Sequence, residues 1–425
     1  MSSNHTADLV VVGAGAAGLA TAVFAARAGV ARVVCLEGAR RVGAKILISG
    51  GGRCNVTNRE VTERDFWGGS SPRDVRSVLR AFPAERAAEF FARQGVALHE
   101  EDDGKLFPDS NRAGDVVECL LRAASSAHVE VLTGRRVAEV RRMHSLFETV
   151  TGVGETFTSR AVVLATGGQS LPKSGSDGFG YTLARALGHS CVATTPALAP
   201  LVIADPVCRR LSGVSHGAEA RVVVAGKTAV ALRGAVLWTH FGISGPLALN
   251  ISRHWLRSRL DSPDVALRMS LCPGESFDAV DQWLLSRGGA RPRALVTTVV
   301  AERLPQALAD AWVERAGIGA EQTMAHLDRD ERRRLVHELC ECVLPVQDSR
   351  GYSFAEVTAG GVPLSEIDVT TMESRVCPGL YLAGEIVDVD GRLGGFNFQW
   401  AWSSAWVAGQ ALGRVLTPSP ASAEK

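Results

Sequence analysis

The stretch Asp8-Leu9-Val10-Val11-Val12-Gly13-Ala14-Gly15-Ala16-Ala17-Gly18, followed by Ala31-Arg32-Val33-Val34-Cys35-Leu36-Glu37, decides the fold. A short apolar run that ends in glycine suits a strand buried on both faces of a parallel sheet. Ala16 to Gly29 reads as a helix and Ala31 to Glu37 as a second strand, which together make one βαβ unit. A GxGxxG pattern is weak alone. Here it leaves a strand, opens a helix and is answered by an acid at the end of the next strand. Gly13 permits the tight turn, Gly15 lets a pyrophosphate approach the backbone, and Gly18 lets helix and strand pack closely. The helix start offers free N–H groups to phosphate. Glu37, 24 residues after Gly13, is placed for ribose hydroxyls and disfavours a 2′-phosphate. The expectation is a dinucleotide site. FAD is favoured over NAD because further glycine clusters follow, while a second complete GxGxxG and a redox CxxC are both missing from the sequence.

Working outward, three later clusters add to this site. Ser49-Gly50-Gly51-Gly52-Arg53-Cys54-Asn55-Val56-Thr57-Asn58 exposes successive backbone N–H groups beside a cation and amide donors, suited to a phosphate or a flavin edge. Val162 to Gly168 is a buried strand running into Ala165, Thr166 and Gly167, where a chain can pass close to a dinucleotide. Gly384-Glu385, Asp388 and Asp390, then Gly394-Gly395-Phe396-Asn397-Phe398-Gln399, lead into a helix from Asn397 to Leu412. Acidic side chains there suit ribityl hydroxyls, and the helix start suits the pyrimidine end of a reduced flavin. A helix terminus contributes up to ~2 kcal/mol to a nearby charge. That is roughly 40 mV for a two-electron couple, enough to tune a potential but not to set it.

Between these clusters the reading is coarser. Residues 72–94 and 113–126 are helical candidates, and Val129 to Leu132 and Ala161 to Leu164 are strands. After Ala193 the pattern changes to a hairpin around Gly226-Lys227, then to a helical stretch from Ser276 to Leu344 that Pro345 ends. The strand-and-glycine style returns near Thr358. The fold class expected is α/β, with a discontinuous Rossmann-like FAD-binding domain interrupted by β-barrel-like and helical regions. Its parts are residues 1–193 and 352–416, with an inserted cap over 194–351 and a disordered tail over 417–425. The cap is expected to cover the isoalloxazine and shape the substrate pocket, with His240 in Thr239-His240-Phe241-Gly242 as its candidate residue.

Composition narrows the function classes. The 425 residues give ample length for a large core, and 46% hydrophobic with 21% charged residues exclude wholesale disorder. The 44 glycines, about 10% of the chain, exceed the usual ~7% and lie in the clusters above. Lys plus Arg (46) nearly cancel Asp plus Glu (45), so no global field draws in nucleic acid or an anionic membrane. Nine scattered cysteines suit a reducing cytoplasm better than a disulfide framework. Leu9 to Ala26 is uncharged for 18 residues, but its glycines argue against a membrane helix. The expected localisation is cytoplasmic, with a small-molecule partner, no nucleic acid and no membrane. His337-Glu338-Leu339-Cys340-Glu341-Cys342 has metal-like composition, yet it reads as a helix with two buried thiols, so no metal site is expected.

The segments ISGGGRCNVTN (48–58), FPDSNRAGDVV (107–117), ATGGQSLPKSGSDGFGY (165–181), THFGISGP (239–246), TAGGV (358–362) and GLYLAGEIVDVDGRLGGFNFQWAWSSAWVAG (379–409) resemble the aminoacetone-oxidase/BaiN-like FAD-dependent flavoproteins. The resemblance spans nearly the whole chain. It implies FAD held by Gly13, Gly15, Gly18, Glu37, Lys45, Gly52, Arg53, Asn55, Gly167, Gly384, Glu385, Asp390, Asn397 and Gln399. Ala14, Ala17, Val137, Ala165, Thr166, Gly395 and Phe398 complete the expected lining. It also implies an oxidoreductase passing a hydride between flavin and a small amine or conjugated C=C compound, with NADH, NADPH or O2 as electron partner. The rivals are a non-catalytic dinucleotide-fold binding protein and an RNA-modifying FAD enzyme; the retained glycine loops speak against the first, and the balanced charge against the second. No catalytic acid or base stands out in the sequence.

Overall fold

Strand β1 (Asn4–Val12) lies at the centre of a parallel sheet in a computed structural model that describes residues 4–417. Of the tail expected over 417–425, residues 418–425 lie outside the described residues. Helix α1 (Ala16–Arg27) follows, then strand β2 (Val33–Leu36), all four of whose residues are buried. The uncharged stretch from Leu9 is therefore split between a strand and a twelve-residue helix. Among the described residues no helix is long and apolar enough to cross a membrane.

The chain divides into two compact units, residues 1–195 with 356–425, and residues 196–355. In the first, the parallel core runs in the order Leu380–Leu382, Thr156–Leu164, β1, β2, Glu130–Leu132. The register sets Val12 beside Leu164 and Leu36, so three strands end at one level. That shared carboxyl edge is where an open α/β sheet binds ligands. A hairpin (Val137–Met143, Leu146–Thr151) continues antiparallel from the 156–164 strand.

The closing helix (Phe396–Leu416) returns to pack on α1, so the two ends of the chain share one core. Close approach depends on small residues. A Cβ at Gly409 would lie 2.6 Å from the Phe24 Cβ, and one at Gly413 would lie 2.4 Å from the Ala28 Cβ. Phe24 and Phe82 pack on the Trp406 ring at 5.0 and 5.1 Å, while Trp400 and Trp402 are buried. The helical stretch 72–94 is two helices, Pro72–Ala81 and Ala84–Arg93. Pro83 lacks the N–H that a continuing helix needs.

The second unit has its own core and a seven-stranded antiparallel sheet. Its edge strands, Cys342–Leu344 and Val346–Ser349, are separated in sequence only by Pro345. The expected helix over 276–344 is corrected at its end: helix Arg329–Glu341 gives way to strand at Cys342, whose partner is Met269. Trp238 and Trp312 meet edge to face at 5.4 Å in this core, and Trp312 Nε1 donates to the Glu338 carbonyl.

Gly409→Leu is expected to destabilise the first unit by about 1–3 kcal/mol, the usual cost of overpacking. Urea unfolding followed by tryptophan fluorescence reads it directly, since Trp400, Trp402 and Trp406 lie on the helix that must shift.

Candidate functional site

The three glycines of the opening turn have different surroundings. Gly13 sits at φ +99°, and a Cβ there would lie 2.6 Å from the Ala165 carbonyl oxygen. A Cβ at Gly18 would lie 1.8 Å from the Gly13 carbonyl oxygen, so this glycine lets α1 seat on the turn. At Gly15 a Cβ meets nothing within 4 Å. Gly15 is also the N-cap of α1, with no side-chain cap and no acidic residue in the first turn. Free helix N–H groups therefore face open room, which is what a pyrophosphate requires. The residues present fit the phosphates of FAD.

Glu37 follows β2 directly. Its carboxylate accepts from the Ala14 N–H and the Ala39 N–H, each at 2.9 Å, so it already faces the glycine turn. Backbone bonds from Gly134 to Ala39 and from Arg135 to Glu37 bring the next chain segment alongside. Val137, buried, comes next and begins the hairpin. On the opposite side, the Ala165 N–H donates to the Val12 carbonyl. Gly167 turns at φ +71°, and a Cβ there would lie 2.6 Å from Ser176 Oγ. Gly384 comes so near Ala17 that a Cβ on it would lie 2.6 Å from the Ala17 Cβ. The structure thus gathers Gly13, Ala14, Gly15, Ala17, Gly18, Glu37, Val137, Ala165, Thr166, Gly167 and Gly384 around one sheet edge.

A polar cluster continues the site. Lys45, in helix α2 (Ala44–Ile48), places Nζ 2.5 Å from both Ser170 Oγ and Glu385 Oε2. Glu385 Oε1 accepts from Ser170 Oγ at 2.9 Å and from the Thr358 N–H at 2.9 Å. Thr358 Oγ1 in turn accepts from the Gln169 and Ser170 N–H groups. Ser170 and Thr358 were not singled out in the sequence, although both lie in quoted segments; the signal was a hydroxyl beside paired glycines.

Other expected ligands are used differently. Arg53 donates to Glu101 Oε1 at 2.6 Å and lies 4.2 Å over the Phe107 ring. That hydrogen bond holds the Glu101 carboxyl below its usual range. Arg53 is thus committed to an acid of the strand Leu98–Glu101. Gly52 ends the tight 49–52 turn just before it. Asn55 is buried. Its amide nitrogen donates to the Thr57 and Leu106 carbonyls and its oxygen accepts from the Gly395 N–H, joining the glycine loop to the closing segment. Asn397 both donates to and accepts from the backbone of Gly391. Gln399 is fully enclosed. It accepts from Thr57 Oγ1 and donates to the Phe82 carbonyl and Ser403 Oγ. The side chains of Arg53 and Gln399 thus clamp parts of the fold to one another. Asp390 is buried and pairs with Trp67 in a short strand. Phe398 stacks on Trp402 at 5.8 Å, and Gly395 is the N-cap of the closing helix.

His240, in the second unit, is exposed and its ring meets Phe241 edge-on at 5.1 Å. Cys54 is buried and its thiol is pushed up to about 12 by burial, which leaves no nucleophile there. All nine cysteines are free. Cys340 and Cys342 are buried and likewise pushed up to about 12, and among the described residues no group of three His, Cys, Asp or Glu could hold a metal.

Residues 7–411 match the HI0933-like protein Rossmann domain. The chain is 33% identical over 405 residues to the Ribosomal RNA dihydrouridine synthase of Escherichia coli (strain K12), covering 95% of this chain and 98% of that one. It is 32% identical over 402 residues to the 3-dehydro-bile acid delta(4,6)-reductase of Clostridium scindens, covering 94% and 98%. Among solved structures, a 3-ketosteroid delta1-dehydrogenase from Sterolibacterium denitrificans shares 13% identity at a TM-score of 0.49, over 96% of this chain and 100% of that chain.

Gly15→Val is expected to fold, since the protein leaves room for the side chain, but to purify without flavin absorbance. Gly18→Val, whose Cβ collides with backbone, is expected to lose stability as well. Thermal melts beside visible spectra separate the two outcomes.

Proposed function

The chain belongs to the HI0933-like Rossmann family, and from that premise we propose that this FAD-dependent oxidoreductase reduces a C=C bond conjugated to a carbonyl. The observation that carries the reading is a shared bond. Two nearly full-length relatives bear names with unrelated substrates, a ribosomal RNA uridine and a 3-dehydro-bile acid. Dihydrouridine differs from uridine by saturation of a ring C=C conjugated with a carbonyl. A delta(4,6)-reductase of a 3-oxo compound acts on the same type of bond.

When bound, FAD supplies the hydride chemistry, and the protein supplies position and electrostatics. The N–H groups at the start of α1 would hold the pyrophosphate across Gly15. Glu37 would exchange its bonds to the Ala14 and Ala39 N–H groups for ribose hydroxyls. The closing helix has no acidic residue in its first turn and no side-chain cap, so its positive end is free to stabilise a reduced, anionic ring. Lys45 and Glu385 neutralise one another beside the crevice, which keeps the site from holding a lone charge.

A uracil base within ribosomal RNA is the second substrate reading, favoured by the 33% identity to the E. coli enzyme. The net charge of +1 means that such an RNA would be recognised locally and not through a broad cationic face. NADH or NADPH is the proposed reductant.

Anaerobic mixing tests the proposal. NADH or NADPH is expected to bleach the flavin, and cyclohexenone or unmodified ribosomal RNA to restore its colour with formation of the saturated ketone or of dihydrouridine. Restoration by O2 or by an amine-derived imine alone would overturn the reading.

A further inference from the structure

Among the described residues, Glu356 is the one carboxyl beside the polar cluster that is not already spent. It directly precedes the strand Val357–Gly361, whose five residues are all buried. Its backbone is fixed from two sides. Ser170 Oγ donates to the Glu356 carbonyl at 3.1 Å, and two residues later Thr358 is bonded to Gln169, Ser170 and Glu385. The side chain itself is exposed, and among the described residues it has no hydrogen-bond or ion-pair partner. Its neighbours are engaged: Lys45 is paired with Glu385, and both Glu385 oxygens accept hydrogen bonds. Glu37 is held by backbone N–H groups. Two histidines do not compete. His189 is buried with both ring nitrogens engaged, by Glu366 and Ser374, and His240 is exposed in the other unit.

We propose that Glu356 is the acid that protonates the α-carbon of the substrate double bond while the β-carbon receives the hydride. This rests on the reductase reading above. The Glu356 O–H bond breaks and its proton forms the new C–H bond at the α-carbon, using the former π pair. The hydride and its two electrons come from reduced flavin, which is oxidised. The carboxylate then regains a proton from water. The rigid backbone holds the acid at a fixed point, and the absence of a partner leaves its proton transferable. Although solvent reaches the side chain, the protein packed around it removes enough water to raise the carboxyl above its ordinary range, against the opposing charge of Lys45. Lys45 on α2 is the charged group acting on it, with Glu385 beyond Ser170.

Two measurements test this on the purified holoenzyme. The first compares reoxidation of the reduced enzyme by cyclohexenone, which needs carbon protonation, with reoxidation by dichlorophenolindophenol, which does not. Glu356→Gln is expected to lower the enone rate relative to the dye rate by roughly 100-fold or more, within the range of general acid catalysis. The wild type is expected to lose enone rate as pH rises; Glu356→Gln should abolish that loss, and Glu356→Asp should restore part of both. The second measurement is independent of turnover. A carboxyl raised in the folded state is stabilising below its unfolded value, and that stability is lost as pH rises through the folded value. Glu356→Gln should therefore match the wild-type melting temperature at about pH 4 and exceed it at about pH 8. An active wild type with an unimpaired Gln variant, or a flat melting difference across pH, would overturn the assignment. A wild type inert toward both enone and RNA would instead overturn the reductase reading, and the acid's role with it.

Discussion

The whole arrangement depends on how closely the closing helix can approach α1. Two helices pack at 8–10 Å according to the side chains between them. Here Gly409 and Gly413 remove those side chains opposite Phe24, Ala25 and Ala28. The consequence reaches the far end of the closing segment. Because the helix is seated, Gly384 can press on Ala17, its N–H can be received by Ser404 Oγ, and its carbonyl can receive Trp400 Nε1. The crevice wall is therefore built from residues more than 350 positions apart.

Much of the first unit was legible because its physics is local. Parallel strands buried on both faces must be apolar throughout, so Leu9 to Val12 and Val33 to Leu36 declared themselves. The helix 113–126 was readable from its apolar spacing, with Val116, Val117, Leu120 and Ala124 on the buried side. What sequence cannot display is which polar groups are already satisfied. Arg53, Asn55, Asn397 and Gln399 have the donors that a flavin needs, yet each is engaged by Glu101 or by backbone and side-chain groups of the fold. The Gly13, Gly15 and Gly18 pattern looks uniform in sequence. In space two of its members are packing contacts and one is a cradle.

The break at Phe82-Pro83 and the change from helix to strand at Cys342 were missed for different reasons. Proline was read inside an amphipathic run whose apolar spacing continues across it. Cys342-Val343-Leu344 is an apolar triplet that suits either element, and only its pairing with 267–269 decides for strand. Glu356 carried no signal beyond one acid ahead of a buried Val-Thr-Ala-Gly-Gly strand. Its interest arises from what its neighbours do with their hydrogen bonds, a property of the assembled network alone.

Under the proposed reaction, the relatives named for a ribosomal RNA uridine and for a 3-dehydro-bile acid pose the same problem to one cofactor site. The reacting bond in both is an electron-poor alkene beside a carbonyl, so the demands near the flavin are the same: a hydride on one carbon and a proton on the next. Those demands fall on the first unit, where the glycine turn, the Lys45–Glu385 pair and Glu356 are fixed by main-chain bonds. Substrate shape makes no such demand on them. The second unit has a separate core and a separate sheet. On the proposed reading, chemistry fixed at the sheet edge of the first unit is separable from the shape of the substrate.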